Sequence, residues 1–274
     1  MEQNYKILEK KASEVRIRAL EDTVRANRGH LGGSYSCVEL LVALYYGKLI
    51  NINPENIKDL NRDYLIIGKG HACLSLYPIL FDLGFISEER YKEYGKNGSS
   101  LGGQLDTSIP GVEYNTGSLG HALGICAGIA LAAKMDGRSS RAISLIGDAE
   151  CDEGSIWEAI IFAGEHKLNN ITCIIDRNRL SVTQKIESNI IFRSFEEKMQ
   201  LFGWDCSVIN GHSYKEIFSS FEKSKLSNKP NIILANTIKG KGVSFMENEI
   251  KWHHSVPDKD EVNTARQELE IIKK

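Results

Sequence analysis

Two polar side chains end apolar runs that lie 30 positions apart: Asp148 comes after Ala142 to Ile146, and Asn178 comes after Ile171 to Ile175. A carboxylate and an amide oxygen are hard ligands that suit magnesium or calcium, and magnesium usually keeps positions for phosphate and water. A helix starting near Ser155 would add a field favourable to an anion. The same two residues also have a structural reading, with Asp148 capping the helix that follows and Asn178 shaping a turn. His30 and His71 each stand in a glycine-rich break, where a lone histidine more often caps or satisfies backbone groups than does chemistry. Lys239-Gly240-Lys241-Gly242 is a basic glycine-rich loop of the kind that contacts phosphate.

These residues need elements to hold them. The run to Ile146, a segment with helical spacing (Ile156, Ala159, Ile160, Ala163) and the run to Ile175 read as strand, helix, strand, one right-handed crossover. Ligands of open parallel sheets sit beyond the carboxyl ends of the strands, where both Asp148 and Asn178 fall. Before this unit, the spacing predicts an amphipathic helix with Ile7, Leu8, Ala12, Val15 and Ala19 on one face, and a helix from Val38 to Tyr46. A strand over 63–67 follows, then a helix with Leu74, Leu76, Tyr77 and Leu80 inward. Tyr94 to Val112 lacks periodicity and reads as a functional loop. From Gly120 to Asp136 small and apolar residues cover every face, which predicts a helix buried all round. After the central unit come a loop (Ser181 to Ser194), helices at Phe195 to Phe202 and Phe218 to Lys225, strands ending at Ile209 and Ala235, and a charged amphipathic helix on the surface from Asp258 to Lys274.

Composition sets bounds. A chain of 274 residues holds one large α/β domain or two small ones, and 42% hydrophobic with 26% charged residues describes an ordinary globule. A net charge of −2 gives no electrostatic case for nucleic acid or an anionic membrane as a partner. Six scattered cysteines without CxxC pairs read as reduced thiols of a cytoplasmic protein. No run reaches membrane-spanning length, and the charged start does not read as a signal peptide.

Gly147-Asp148, Glu153-Gly154, Trp157-Glu158-Ala159 and Asp176-x-Asn178 resemble the thiamine diphosphate signature of the transketolase family. The resemblance implies an α/β fold: an open, mostly parallel sheet with helices on both faces. It makes Asp148, Asn178 and the Leu180 carbonyl the ligands of Mg2+, for which Ca2+ can substitute. His71, Gly117, Ser118, Leu119, Gly147, Asp148, Ala149, Glu153, Asn178 and His253 become cofactor contacts. His30, His71 and His253 would handle hydroxyl protons near neutral pH. Glu153 and Glu158 resemble an acidic network between paired active sites, the alternative being a charged first helical turn. His212 sits in a Gly-His-Ser resembling the family's Gly-His-Asp and reads as structural.

Several positions depart from the family pattern. Ala149 replaces a glycine, so that turn must be right-handed or extended, or else slightly strained. Leu31 replaces a proline, His121-Ala122 replaces Gln-Gly, and His254 stands where glycine is common. Gly103, with Gln104 beside it, stands where the family loop carries a histidine that bonds the donor's terminal hydroxyl. Losing one polar partner for a hydroxyl costs about 1–3 kcal/mol, so a standard sugar-phosphate donor should be handled poorly and a modified or nucleotide-linked sugar admitted.

The match spans residues 5–269 and resembles the amino-terminal subunit of a split transketolase. It implies that residues 1–274 form a single diphosphate- and metal-gripping domain, with the pyrimidine-binding and carboxyl-terminal domains absent from this chain. Activity would then be two-carbon ketol transfer between a ketose and an aldehyde, on sugars or sugar phosphates. It would need a carboxyl-terminal partner subunit, in an α2β2 assembly. Rival readings are a deoxyxylulose-phosphate-synthase-like piece, a 2-oxoacid dehydrogenase subunit, and a non-catalytic partner-binding relative.

Overall fold

The computed structural model describes residues 5–181, 184–186 and 190–273. In chain order the helices are α1 (Tyr5–Ala26), α2 (Leu31–Tyr35), α3 (Val38–Tyr45), α4 (Cys73–Asp82), α5 (Glu88–Tyr91), α6 (Ala122–Met135), α7 (Gly154–Glu165), α8 (Phe195–Leu201), α9 (Tyr214–Leu226) and α10 (Lys259–Lys273). The strands are β1 (Tyr64–Ile67), β2 (Ala142–Gly147), β3 (Ile171–Arg177), β4 (Asp205–Asn210) and β5 (Asn231–Asn236). They pair in the order β1-β2-β3-β5-β4, and all four pairings are parallel.

Alternate strand residues feed two separate cores. Leu65, Ile67, Ile143, Leu145, Ile174 and Ile233 join a cluster with residues of α1, α3, α4, α9 and α10. Ile66, Ile146, Cys173, Ile175, Ile232 and Leu234 join a second cluster with α6, α7 and α8. The sheet is thus covered on both faces, which is why its strands read as unbroken apolar runs instead of alternating ones.

Three local expectations need correction. Ile7 is 64% exposed, because the buried stripe of α1 runs Leu8, Ala12, Val15, Ala19 and residue 7 falls beside it. The helix α6 is not buried all round: Ala122, Cys126, Ala127, Ala130 and Ala133 face the sheet, while Gly124, Gly128 and Ala132 are exposed. Helix α9 starts at Tyr214, four residues before the expected Phe218, because the Ser213 hydroxyl accepts from the Glu216 amide at 3.4 Å and caps it. The carboxyl-terminal helix is amphipathic as expected, with Ala265 and Leu269 fully buried in the core shared with α1. The loop expected over 181–194 lies partly outside the described residues; within them it holds a Leu180–Lys185 bridge and a short turn at Ile190–Phe192.

All six cysteines are free, five of them buried. Burial pushes every thiol up, to about 12 for Cys73, Cys173 and Cys206. Among the described residues no helix is long and apolar enough to cross a membrane.

Candidate active site

The carboxyl ends of β1, β2 and β3 open into a narrow cleft of about 60 Å³. Asp148 directly follows β2 and is 2% exposed. Its Oδ1 accepts from the Ala149 amide at 2.9 Å and its Oδ2 from the Arg179 amide at 2.6 Å. The second bond is possible because Arg179 adopts φ 63°, a left-handed turn just past Asn178. Ala149 needs no such conformation: Asp148 is right-handed and the chain runs on into a 3-10 turn, Ala149–Asp152. Asn178 Oδ1 accepts from the Leu180 amide at 3.1 Å, and the Leu180 carbonyl faces Lys239 Nζ at 3.4 Å. Three hard oxygens therefore border one cleft. Burial, and then the neighbouring Asp176 charge, push the Asp148 carboxyl up to about 6.

Below these oxygens lies a buried ion pair. Asp176 Oδ2 bonds Lys69 Nζ and Ser36 Oγ, the latter at 2.6 Å, and its Oδ1 takes the Thr237 hydroxyl. Burial opposes both charges, but Lys69 holds the Asp176 carboxyl below the usual carboxylate range. Lys239 is 1% exposed and, among the described residues, has no carboxylate against it. Its Nζ meets the Ser181 carbonyl at 3.1 Å and His253 Nδ1 at 3.1 Å. Burial, and then the charge of Lys69, lower it to about 8. Lys241, the other cation of the loop, turns away to Glu247 at 3.2 Å. His212 fixes this loop: Nε2 accepts from the Ile238 amide at 2.9 Å, while Nδ1 meets Glu39 at 2.9 Å. That is the structural role expected of it.

The histidines gather beside the cleft. Ring centroids lie 5.7 Å apart for His30–His71, 5.6 Å for His30–His253 and 5.3 Å for His71–His253. Glycines permit the approach: a Cβ at Gly33 would sit 3.2 Å from the His71 ring, and one at Gly32 would sit 2.7 Å from the Trp252 carbonyl. Burial first, and neighbouring cations after it, lower His30 and His253 to about 4 and His71 well below its ordinary value. All three are neutral at pH 7, each with one donor and one acceptor nitrogen. His254 comes closer to His30 than either, at 4.7 Å.

Of the residues singled out from the sequence, His71, Leu119, Gly147, Asp148, Ala149, Asn178, Leu180 and His253 line the cleft. Gly117 and Ser118 are exposed next to it, Gly117 at φ 129°. Glu153 and Glu158 lie outside: both are exposed, and Glu158 borders a wider groove of about 670 Å³ between α6 and α7, with His121, Gly124, Gly128 and Phe162. Sequence reasoning missed Lys69 and Glu150. The Glu150 carboxylate, 2% exposed, accepts from the Gly120 amide at 3.0 Å and the Gly147 amide at 3.2 Å. It ties the turn carrying Leu119 to the turn carrying Asp148. The basic glycine-rich loop was the available signal for Lys239; nothing local marked Glu150.

The chain is similar to known proteins over nearly its whole length. The family described as "Transketolase, thiamine diphosphate binding domain" matches residues 7–273. A Phocaeicola vulgatus protein named as one of the subunits of an apulose-4-phosphate transketolase is 39% identical over 263 residues, covering 96% of this chain and 93% of that protein. A Clostridium protein named as a 6-deoxy-6-sulfo-D-fructose transketolase subunit is 36% identical, covering 96% of each. The crystal structure of a transketolase from Campylobacter jejuni superposes with a TM-score of 0.90 at 31% identity, covering 98% of this chain but 43% of that one.

Proposed function

This chain belongs to the transketolase family, in its thiamine diphosphate-binding part, and on that premise we propose that it is the cofactor-gripping subunit of a two-subunit transketolase. The reaction is two-carbon ketol transfer from a ketose to an aldehyde acceptor. One observation carries the reading: the oxygens of Asp148, Asn178 and Leu180 share a cleft with the buried Lys239 and two neutral histidines. Hard oxygens fit Mg2+, or Ca2+ in its place. Lys239, a buried cation without a carboxylate partner among the described residues, fits a diphosphate. The relatives are named as transketolase subunits, which favours this reading over a deoxyxylulose-phosphate synthase or 2-oxoacid dehydrogenase piece.

Within it, Asp148, Asn178 and the Leu180 carbonyl hold the metal, and Lys239, His71 and His253 hold diphosphate oxygens. Leu119, 37% exposed beside the cleft, offers an apolar face to the cofactor rings. The thiazolium, when bound, supplies the electron sink for the two-carbon fragment. His30, His71 and His253, neutral at pH 7, accept and return substrate hydroxyl protons. Glu150 keeps the two cofactor-facing turns in register.

The chain acts as one domain, and a companion carboxyl-terminal subunit supplies the pyrimidine-facing half. The relatives' designation as subunits supports this, as does the open groove that leaves Glu158 and Phe162 exposed. An α2β2 assembly satisfies paired active sites. Six unpaired thiols suit a cytoplasmic setting. Non-standard sugars are the proposed substrates, in keeping with Gly103 and with the relatives named for apulose-4-phosphate and a sulfonated fructose.

Isothermal titration of thiamine diphosphate with Mg2+ tests the site in the presence of the companion. Asp148→Ala should weaken binding at least about 100-fold, since hydrogen bonds and charge on a buried ion are lost together. Chelation of the metal should release the cofactor from the wild type. A folded Asp148→Ala that binds as tightly as wild type would show that the site lies elsewhere.

A further inference from the structure

Gly103 does not face empty space. A Cβ built there would lie 3.6 Å from Nη2 of Arg28, the residue two positions before His30. The Arg28 carbonyl accepts from the Tyr94 hydroxyl at 3.4 Å, which holds its backbone beside the loop. Its charge is felt by His30, Cys73 and Tyr94, three groups around this corner. Among the described residues the guanidinium has no hydrogen-bond or ion-pair partner. The neighbouring Gln104 does not answer it, because its amide oxygen accepts from the Thr116 hydroxyl at 3.0 Å. Inward of Arg28, the buried Nδ1 of His30 also lacks a partner. A buried ring nitrogen and a cation, each without a partner among the described residues, thus stand at the same corner.

A guanidinium presents a planar fork of N–H donors that matches tetrahedral oxyanions, and it keeps its charge at any physiological pH. We propose that Arg28 is a specificity residue that binds the oxyanion, phosphate or sulfonate, carried by the sugar substrate at the rim of the histidine cluster. The proposal rests on the ketol-transfer reading. A Cβ at position 103 would already touch this guanidinium at van der Waals distance, so only a side chain longer than alanine would compete with the arginine for space.

The test uses the chain reconstituted with its companion subunit, as wild type, Arg28→Ala and Arg28→Lys. Ribose 5-phosphate and ribose are titrated by calorimetry in one arm, and a sulfonated ketose with its unsulfonated parent in the other. Wild type should prefer the anionic member of at least one pair by about 10–100-fold, the worth of a hydrogen bond to a charged group. Arg28→Ala should cut that preference to about threefold or less, mainly through KM in the turnover assay, and Arg28→Lys should keep part of it. The arm that responds identifies phosphate or sulfonate. An unchanged preference in Arg28→Ala, equal weakening of both members, or no preference in wild type overturns the proposal. Failure of wild type to bind thiamine diphosphate would instead remove the ketol-transfer reading, so the two failures are separable.

Discussion

At the scale of single residues, the site combines groups whose charge states are set by burial. His30 and His253 are held at about 4, below their ordinary 6.5, because desolvation and nearby cations disfavour the imidazolium. The unfolded chain therefore gains protons on these rings as pH falls from 6.5, before the folded chain does. Their contribution is complete above 6.5 and is lost as pH falls through 4. Urea melts at pH 7 and pH 5 should show lower stability at pH 5, and the difference should shrink in His30→Asn; an equal difference in both proteins would refute this account. Asp148 and Asn178 were legible in the sequence because each directly follows an apolar run, so strand geometry alone brings them to one edge. Lys239 was legible only as part of a basic loop, and Glu150 not at all, since their placement depends on contacts such as Lys239 to Leu180, 59 positions away, and Glu150 to Gly120, 30 positions away.

At the scale of elements, a buried triad joins α1, α3 and the turn before α9. Arg16 Nη2 lies 2.7 Å from Glu39 Oε2, which also meets His212, and His212 in turn holds the Ile238 amide next to Lys239. Burial would raise the Glu39 carboxyl, but Arg16 and His212 pull it down to about 2. Its stabilising contribution is full above the ordinary 4.5 and fades as pH falls toward 2. Glu39→Ala leaves Arg16, 2% exposed, without its counter-charge, and should cost about 3–5 kcal/mol in denaturant unfolding. A loss under about 1 kcal/mol would mean that Arg16 finds water or another partner. Strands and most helices were readable from periodicity because two cores cover the sheet. The misread side of α6 has a physical reason: glycine and alanine look alike whether they face a core or an open groove, so periodicity cannot tell which side is covered. Ser213 similarly caps α9, whose buried face begins with Tyr214 and Ile217, ahead of the expected start at Phe218.

At the scale of the whole molecule, one face of the chain remains uncovered. The groove between α6 and α7 exposes Phe162, at 39%, beside Gly124 and Gly128, where an added Cβ would meet nothing within 4 Å. Gly128→Glu should therefore leave the folded chain intact while placing a charge in that groove. Sedimentation of the mixed subunits should show weakened assembly for this variant and an unchanged circular dichroism spectrum; full assembly would move the interface elsewhere. The family was legible in short motifs, yet the groove was not, because an unpartnered surface leaves no periodic trace. The thiols bear on how such experiments can be run. With all six pKa values raised, little thiolate exists at pH 7 to attack a maleimide. A fluorophore directed to one added cysteine, such as Lys92→Cys on the exposed flank of α5, should react far faster than the native six, giving a singly dyed chain for watching its companion dock in real time.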